Sequence, residues 1–170
     1  MSLLRAILSA VVSSVSILMV SPSCASPPDE GDNYRETRAS GLSVGTIVDD
    51  LYWSDGDSGV ANGVKFRMSN LDAPETGGVC ARIGGSHCEE ERRLGYLAKE
   101  YVVQLTRAGR VSVTGVHGYD GYGRQIIDLS VEGRDLRTLG LEAGHYRSWV
   151  FKNGRASHRK PTYCKVDLCG

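Results

Sequence analysis

The chain has no surplus of charge of either sign: 20 Lys and Arg stand against 20 Asp and Glu over 170 residues. That balance excludes a protein that coats nucleic acid through bulk positive charge, so any affinity for phosphate must be local to a site. Internal repeats and low-complexity segments are missing, which excludes solenoids and arrays. An apolar run long enough to span a bilayer is also missing. The longest, residues 6–20, covers 15 residues broken by serines, against the roughly 20 that a span needs. It follows Arg5 and leads into Ser21-Pro22-Ser23-Cys24-Ala25. This predicts a secretory signal peptide over 1–25, cut after Ala25, and a secreted or periplasmic product with no stable membrane association after processing. Removal takes one base, Arg5, and no acid, leaving 19 basic against 20 acidic residues, a net of −1.

Cysteine is scarce. Beyond Cys24 there are Cys80, Cys88, Cys164 and Cys169. An even number in an exported chain favours two disulfides, and four cysteines allow three pairings. Short local loops favour Cys80–Cys88 and Cys164–Cys169. Zinc is the rival, since His87 and His158 lie near these cysteines. Residues 26–43 are polar with Pro and Gly and no apolar period, so they read as a flexible linker. A single domain over 44–150 follows, then a tail over 151–170 that holds one cysteine pair.

The domain is organised around residues 55–75. Asn62-Gly63 is a two-residue type I′ turn signal, so residues 58–61 and 64–69 form a hairpin that returns Asp57 to the neighbourhood of Arg67 and Asp72. Pro74 then makes a stiff corner that presents Glu75. Carboxylates gathered at one hairpin end repel one another, which makes sense if a hard cation sits among them. Elsewhere, residues 44–53 read as a strand and 76–86 as a loop. Ser86 and Glu89 suggest a capping box for a helix with Glu89, Glu90 and Glu91 in its first turn. Its buried stripe is Leu94, Leu97, Ala98, Tyr101, Val102 and Leu105, and Gly109 stops it. Strands are expected over 110–116 and 125–131, with a loop over 117–123 between them and a turn at Glu132-Gly133. A short helix is expected over 135–143, and 145–151 is a last strand or irregular. This pattern indicates an α+β domain or a small barrel.

Asp57-Ser58, Arg67-Met68, Asp72-Ala73-Pro74-Glu75 and Asp120-Gly121-Tyr122-Gly123-Arg124, in this order, resemble the motifs of the staphylococcal-nuclease (thermonuclease) family over roughly residues 44–147. The resemblance implies an OB-fold five-stranded barrel, mainly β with helices. It implies Arg67, Glu75 and Arg124 as the catalytic trio. It implies a Ca²⁺ site at Asp57, Asp72 and the carbonyl of Ala73. The activity implied is a calcium-dependent nuclease that leaves 3′-phosphates, acting on DNA and/or RNA as a monomer. Physically, the carboxylates suit a hard cation. The arginines suit a phosphate gaining charge, and Glu75 suits a general base. Tyr122 is a candidate substrate contact, by stacking on a base or sugar; His117 and His145 are bases only if Glu75 is not. Singly, each residue also fits an ordinary turn or surface role. Two rival functions remain: a catalytically inactive OB-fold module that binds nucleic acid or protein, and a phosphodiesterase for small nucleotides. Ser58 stands where the family has threonine, and the chain after Arg147 departs from the family's final helix.

Overall fold

The computed structural model describes residues 40–152 and 154–170. The expected signal peptide, and the expected linker up to residue 39, lie outside the described residues. The described chain is α+β. Its strands are β1 (Leu51–Trp53), β2 (Ser58–Ala61), β3 (Val64–Met68), β4 (Leu71–Asp72), β5 (Val111–Tyr119), β6 (Gln125–Val131), β7 (Arg134–Asp135), β8 (Arg147–Ser148), β9 (Phe151–Lys152) and β10 (Arg155–Ala156). Its helices are α1 (Glu89–Ala108) and α2 (Leu136–Glu142). The main sheet runs β1-β2-β3-β6-β5, with β7 paired to β6. Among the described residues no helix is long and apolar enough to cross a membrane.

The hairpin forms as its turn chemistry dictates. Asn62 and Gly63 have φ of 46° and 79°, the left-handed pair of a type I′ turn. Asn62 also ties the hairpin to the preceding chain, its Oδ1 accepting from the backbone N–H groups of Asp49 (3.0 Å) and Asp50 (3.1 Å). The register then places Ser58 opposite Arg67, and the N–H of Met68 donates to the Asp57 carbonyl at 2.8 Å. Asn70 (φ 54°) turns the chain from β3 into β4. β3 pairs in parallel with β6, Arg67 beside Ile126, and β4 pairs with β8, Asp72 beside Arg147.

Only Leu51–Trp53 of the strand expected over 44–53 is regular. The residues before it instead bond to β5: Gly45 N–H to the Val113 carbonyl at 2.8 Å, Val48 N–H to that of Val111 at 3.0 Å, and Val113 N–H to that of Thr46 at 2.9 Å. Leu42, inside the expected linker, is buried. The Gln125 side-chain amide holds its backbone in both directions at 2.8 Å. β5 runs on to Tyr119 through two register shifts, so the loop expected over 117–123 contracts to the turn before Arg124.

α1 begins two residues later than the capping box suggests. Cys88 is the N-cap, its sulfur accepting from the Glu91 N–H, while Glu91 Oε2 accepts from the His87 N–H at 2.7 Å. Ser86 donates its hydroxyl to the Gly77 carbonyl instead. Glu89, Glu90 and Glu91 occupy the first turn, where the helix dipole favours them. Ala98 and Val102 are buried in the same core as Trp53, Phe66, Leu71, Ile127 and Leu129. Leu97 of the expected stripe is 40 % exposed. It lies at the edge of the face, and the spacing alone made that face one residue too wide.

The expected cysteine pairing is overturned. The bridges are Cys80–Cys169 and Cys88–Cys164, closing separations of 89 and 76 residues. Local spacing misled because the tail after β8 does not stay by itself. It forms a small β9–β10 hairpin, then returns to the loop before α1. With all four sulfurs in bridges, no thiolate is left for the rival zinc site; the grouping of His87, Asp167 and Cys169 uses a bridged sulfur.

Candidate functional site

The hairpin, the Pro74 corner and the turn before β6 deliver their charged side chains to one region. Arg67, in mid-β3, donates to Asp57 Oδ1 at 3.2 Å and to Asp72 Oδ1 at 3.3 Å, and also lies 3.1 Å from Asp57 Oδ2. Asp57 Oδ2 further accepts from the Ala73 N–H at 3.1 Å. The sequence reading placed Asp57, Arg67, Asp72 and Ala73 together, and they are together. Ala73 meets Asp57 here through its N–H, whereas the atom expected to face the cation is its carbonyl oxygen.

Asp72 is the most enclosed of these, with 0 % of its side chain exposed. One of its oxygens, Oδ2, has no hydrogen-bond partner. A buried carboxylate oxygen left unpaired is costly. Burial pushes the Asp72 carboxyl up to about 7, with Asp57 and Glu75 adding to the rise and Lys160 and Arg67 opposing it. Burial also raises Glu75, again against the pull of Lys160. For Arg67, burial pulls downward, but Asp57, Asp72 and Glu75 outweigh it and hold the guanidinium above its ordinary value. An all-oxygen donor set with an unsatisfied buried lone pair fits a hard divalent cation such as Ca²⁺.

Glu75 Oε1 accepts from Lys160 Nζ at 3.1 Å, and the same ammonium lies 3.6 Å from Asp72 Oδ1. Tyr163 donates its hydroxyl to the Asp72 carbonyl at 2.7 Å. Neither contact was foreseen. Lys160 sits in a basic stretch of the tail, 85 residues from Glu75, and only the return of that tail makes them neighbours.

Arg124 leaves the turn before β6 with Asp120 as its holder. Its Nε donates to Asp120 Oδ2 at 2.8 Å, and its backbone N–H to Oδ1 at 3.0 Å. Burial pushes the Asp120 carboxyl up, but these bonds and one from the Tyr122 N–H outweigh it and leave it below the usual range. Tyr122 is 87 % exposed, and the centre of its ring lies 5.5 Å from the Arg124 guanidinium carbon.

A cleft of about 720 Å³ has Arg67, Glu75, Tyr122, Arg124, Trp149 and Lys160 among its lining residues. Arg67 also lies under the Trp149 ring at 5.9 Å. The reserve bases are otherwise engaged: His117 meets Asp128 at 2.7 Å on the cleft wall, and the His145 ring packs on Tyr101 at 4.4 Å. Chemically, the cleft offers three positive groups, Arg67, Arg124 and Lys160, with the carboxylates of Glu75 and Asp120 on its lining and a buried carboxylate pair beneath, a set suited to binding and attacking a phosphate ester.

The chain matches no protein-family model, and a comparison with characterised proteins likewise gives no match.

Proposed function

We propose that the protein is a calcium-dependent nuclease that hydrolyses phosphodiester bonds in DNA and/or RNA and leaves 3′-phosphates. The observation that carries the reading is the meeting of Arg67, Glu75 and Arg124 in one cleft above the Asp57–Asp72 pair. Two short motifs far apart in the chain supply these residues, and an ordinary turn or surface role for each would not require them to converge.

Asp57, Asp72 and the Ala73 carbonyl would hold the ion, which would neutralise a phosphate oxygen when bound. Arg67 and Arg124 present planar, permanently charged donors to the remaining phosphoryl oxygens, where negative charge grows in the transition state. Glu75 takes the proton of the attacking water. The carboxylates beneath Arg67, and Asp120 beside Arg124, hold the two guanidinium groups in place before substrate arrives, so little ordering is left for the reaction step.

The sheet order supports an OB-fold barrel of five strands: β1-β2-β3-β6-β5, with residues 45–48 bonding back onto β5, so the path returns towards its start. The two disulfides support folding in an oxidising compartment, in keeping with secretion or a periplasmic location of a monomer. The test is direct. Purified protein is incubated with single-stranded DNA and with RNA, in Ca²⁺ or in chelator. Cleavage that needs Ca²⁺ and yields 3′-phosphate ends is expected. Binding without cleavage would replace the enzyme with an OB-fold binding module.

A further inference from the structure

We propose that Lys160 is a phosphate ligand of the cleft, held there by a tail fastened on both sides of it. The anion's identity, a backbone phosphate of single-stranded nucleic acid, rests on the nuclease reading above. The two arginines are already committed: Arg67 carries Asp57 and Asp72, and Arg124 carries Asp120. Lys160 keeps donors to spare: its ammonium has three, and among the described residues it hydrogen-bonds to Glu75 alone and makes a longer contact with Asp72. Its side chain is 38 % exposed and lines the cleft.

The tail cannot carry this lysine away. Ahead of it, the His158 ring meets the Ser148 carbonyl at 2.9 Å, and Trp149 Nε1 donates to the His158 carbonyl at 3.3 Å. Behind it, Tyr163 is bonded to the Asp72 carbonyl, Arg147 donates to the Thr162 carbonyl and stacks on Tyr163 at 4.6 Å. Cys164 is bridged to the N-cap of α1. The backbone of this segment is therefore fixed, and only the side chain is free to swing. Asp57 and Asp72 would hold a divalent cation when it is bound, and its charge would then repel the ammonium and end its contact with Asp72. The ammonium then stays within the cleft, with donors turned to whatever anion enters. A lysine on so firm a mount serves as a lasting positive group of the site, rather than as a plug that leaves.

The experiment measures fluorescence anisotropy of a labelled, short phosphorothioate oligothymidylate, which keeps its charge and resists cleavage, with saturating Ca²⁺ and NaCl varied. Lys160→Ala should weaken binding roughly tenfold, the worth of one charged hydrogen bond. It should also reduce the slope of log affinity against log salt by about 0.7, one phosphate contact on a single strand. Lys160→Arg should keep most of both. Breaking the tether with Cys88→Ser and Cys164→Ser together should copy the alanine variant. If that protein fails to fold by circular dichroism, the two Lys160 variants decide alone. Unchanged affinity and slope in Lys160→Ala overturn the proposal, as does tighter oligonucleotide binding with tighter calorimetric Ca²⁺ binding, which would make Lys160 a plug. Cleavage of unmodified DNA by the parent is scored separately. A cutting parent with an indifferent Lys160 sinks only the lysine, and a Lys160-dependent binder that never cuts sinks only the nuclease.

Discussion

A Cβ placed on Gly95 would stand 2.5 Å from the carbonyl oxygen of Glu75 and 2.8 Å from that of Pro74. Helix α1 and the corner that presents Glu75 therefore touch backbone to backbone, and glycine is what permits it. Gly95→Ala gains roughly 1 kcal/mol of helix propensity but forces the helix or the corner to move, at a cost of about 1–3 kcal/mol. The expected net result is a lower Tm. The rate should fall further than stability explains, because a misplacement of about 1 Å at a catalytic group costs on the order of 10²-fold. Thermal melts beside single-turnover cleavage check this. A higher Tm with an unchanged rate would show that the contact is slack.

The Asp57–Asp72 pair links cation and proton. Burial holds Asp72 protonated up to about 7, above its unfolded value. Its contribution to stability is therefore full at low pH and is lost as pH rises through about 7. Ca²⁺ needs the ionised carboxylate, so its binding competes with that proton. Calcium affinity should climb by up to about tenfold per pH unit from roughly pH 5, then level off above about pH 7. Asp72→Asn should flatten the pH dependence of Tm in chelator over that window, and Asp57→Ala should weaken calcium binding and activity together. Calorimetric titration across pH reads the first and last of these, melts in chelator the second. Affinity that does not change with pH would remove Asp72 from the ligand set.

The disulfides close long loops, and in the chain-entropy account each such bridge is worth roughly 4 kcal/mol, less than additively because the loops overlap. The local bridges suggested by spacing would have closed short loops worth about 2–3 kcal/mol. Peptide mapping without reduction should recover Cys80 linked to Cys169 and Cys88 linked to Cys164. Reduction should lower Tm, and it should also loosen Lys160 and Tyr163 from Glu75 and Asp72. Peptides joining Cys80 to Cys88 would contradict the arrangement.

What was legible in the sequence was whatever short-range chemistry decides. Asn62-Gly63 dictates the turn, the turn dictates the register, and the register brings Asp57 to Arg67. Pro74 and the run Glu89-Glu90-Glu91 are local signals in the same sense. The helix cap was misplaced by two residues because Ser86 and Cys88 both offer an acceptor, and Cys88 caps while the Ser86 hydroxyl bonds to the Gly77 carbonyl. The contacts of Lys160 and Tyr163 span 85 and 91 residues, and no periodicity encodes them. They follow from the tail's return, which is fixed by cysteine pairing that spacing does not determine. Leu42 was missed for a similar reason: a lone apolar residue in a polar stretch has no period, and its partner Gln125 is 83 residues away.

Arg67, Arg124 and Glu75 hold different positions in the cleft, and their replacements should fail in different ways. Arg124→Ala removes a donor from the transition state at an expected cost of roughly 2.7–4 kcal/mol, or 10²–10³ in rate. Its partner Asp120 sits at the surface turn, so the fold should survive. Arg67→Ala loses the same donor but also leaves Asp57 and Asp72 buried side by side without the counter-charge they share. It should therefore lower Tm as well, and Ca²⁺ should restore part of the loss by taking the place of the guanidinium. Glu75→Gln keeps size but cannot take a proton, so turnover should fall by roughly 10²–10⁴. Substrate affinity should hold or rise, because a negative charge beside the phosphate is gone and Lys160 loses the carboxylate it is paired with. Single-turnover rates and binding constants on a short DNA strand with saturating Ca²⁺, beside melts with and without the ion, separate the three. If Glu75→Gln cleaves within a few-fold of the parent, Glu75 is not the base. If Arg67→Ala and Arg124→Ala lose equal stability, the buried carboxylate pair is not held together by Arg67.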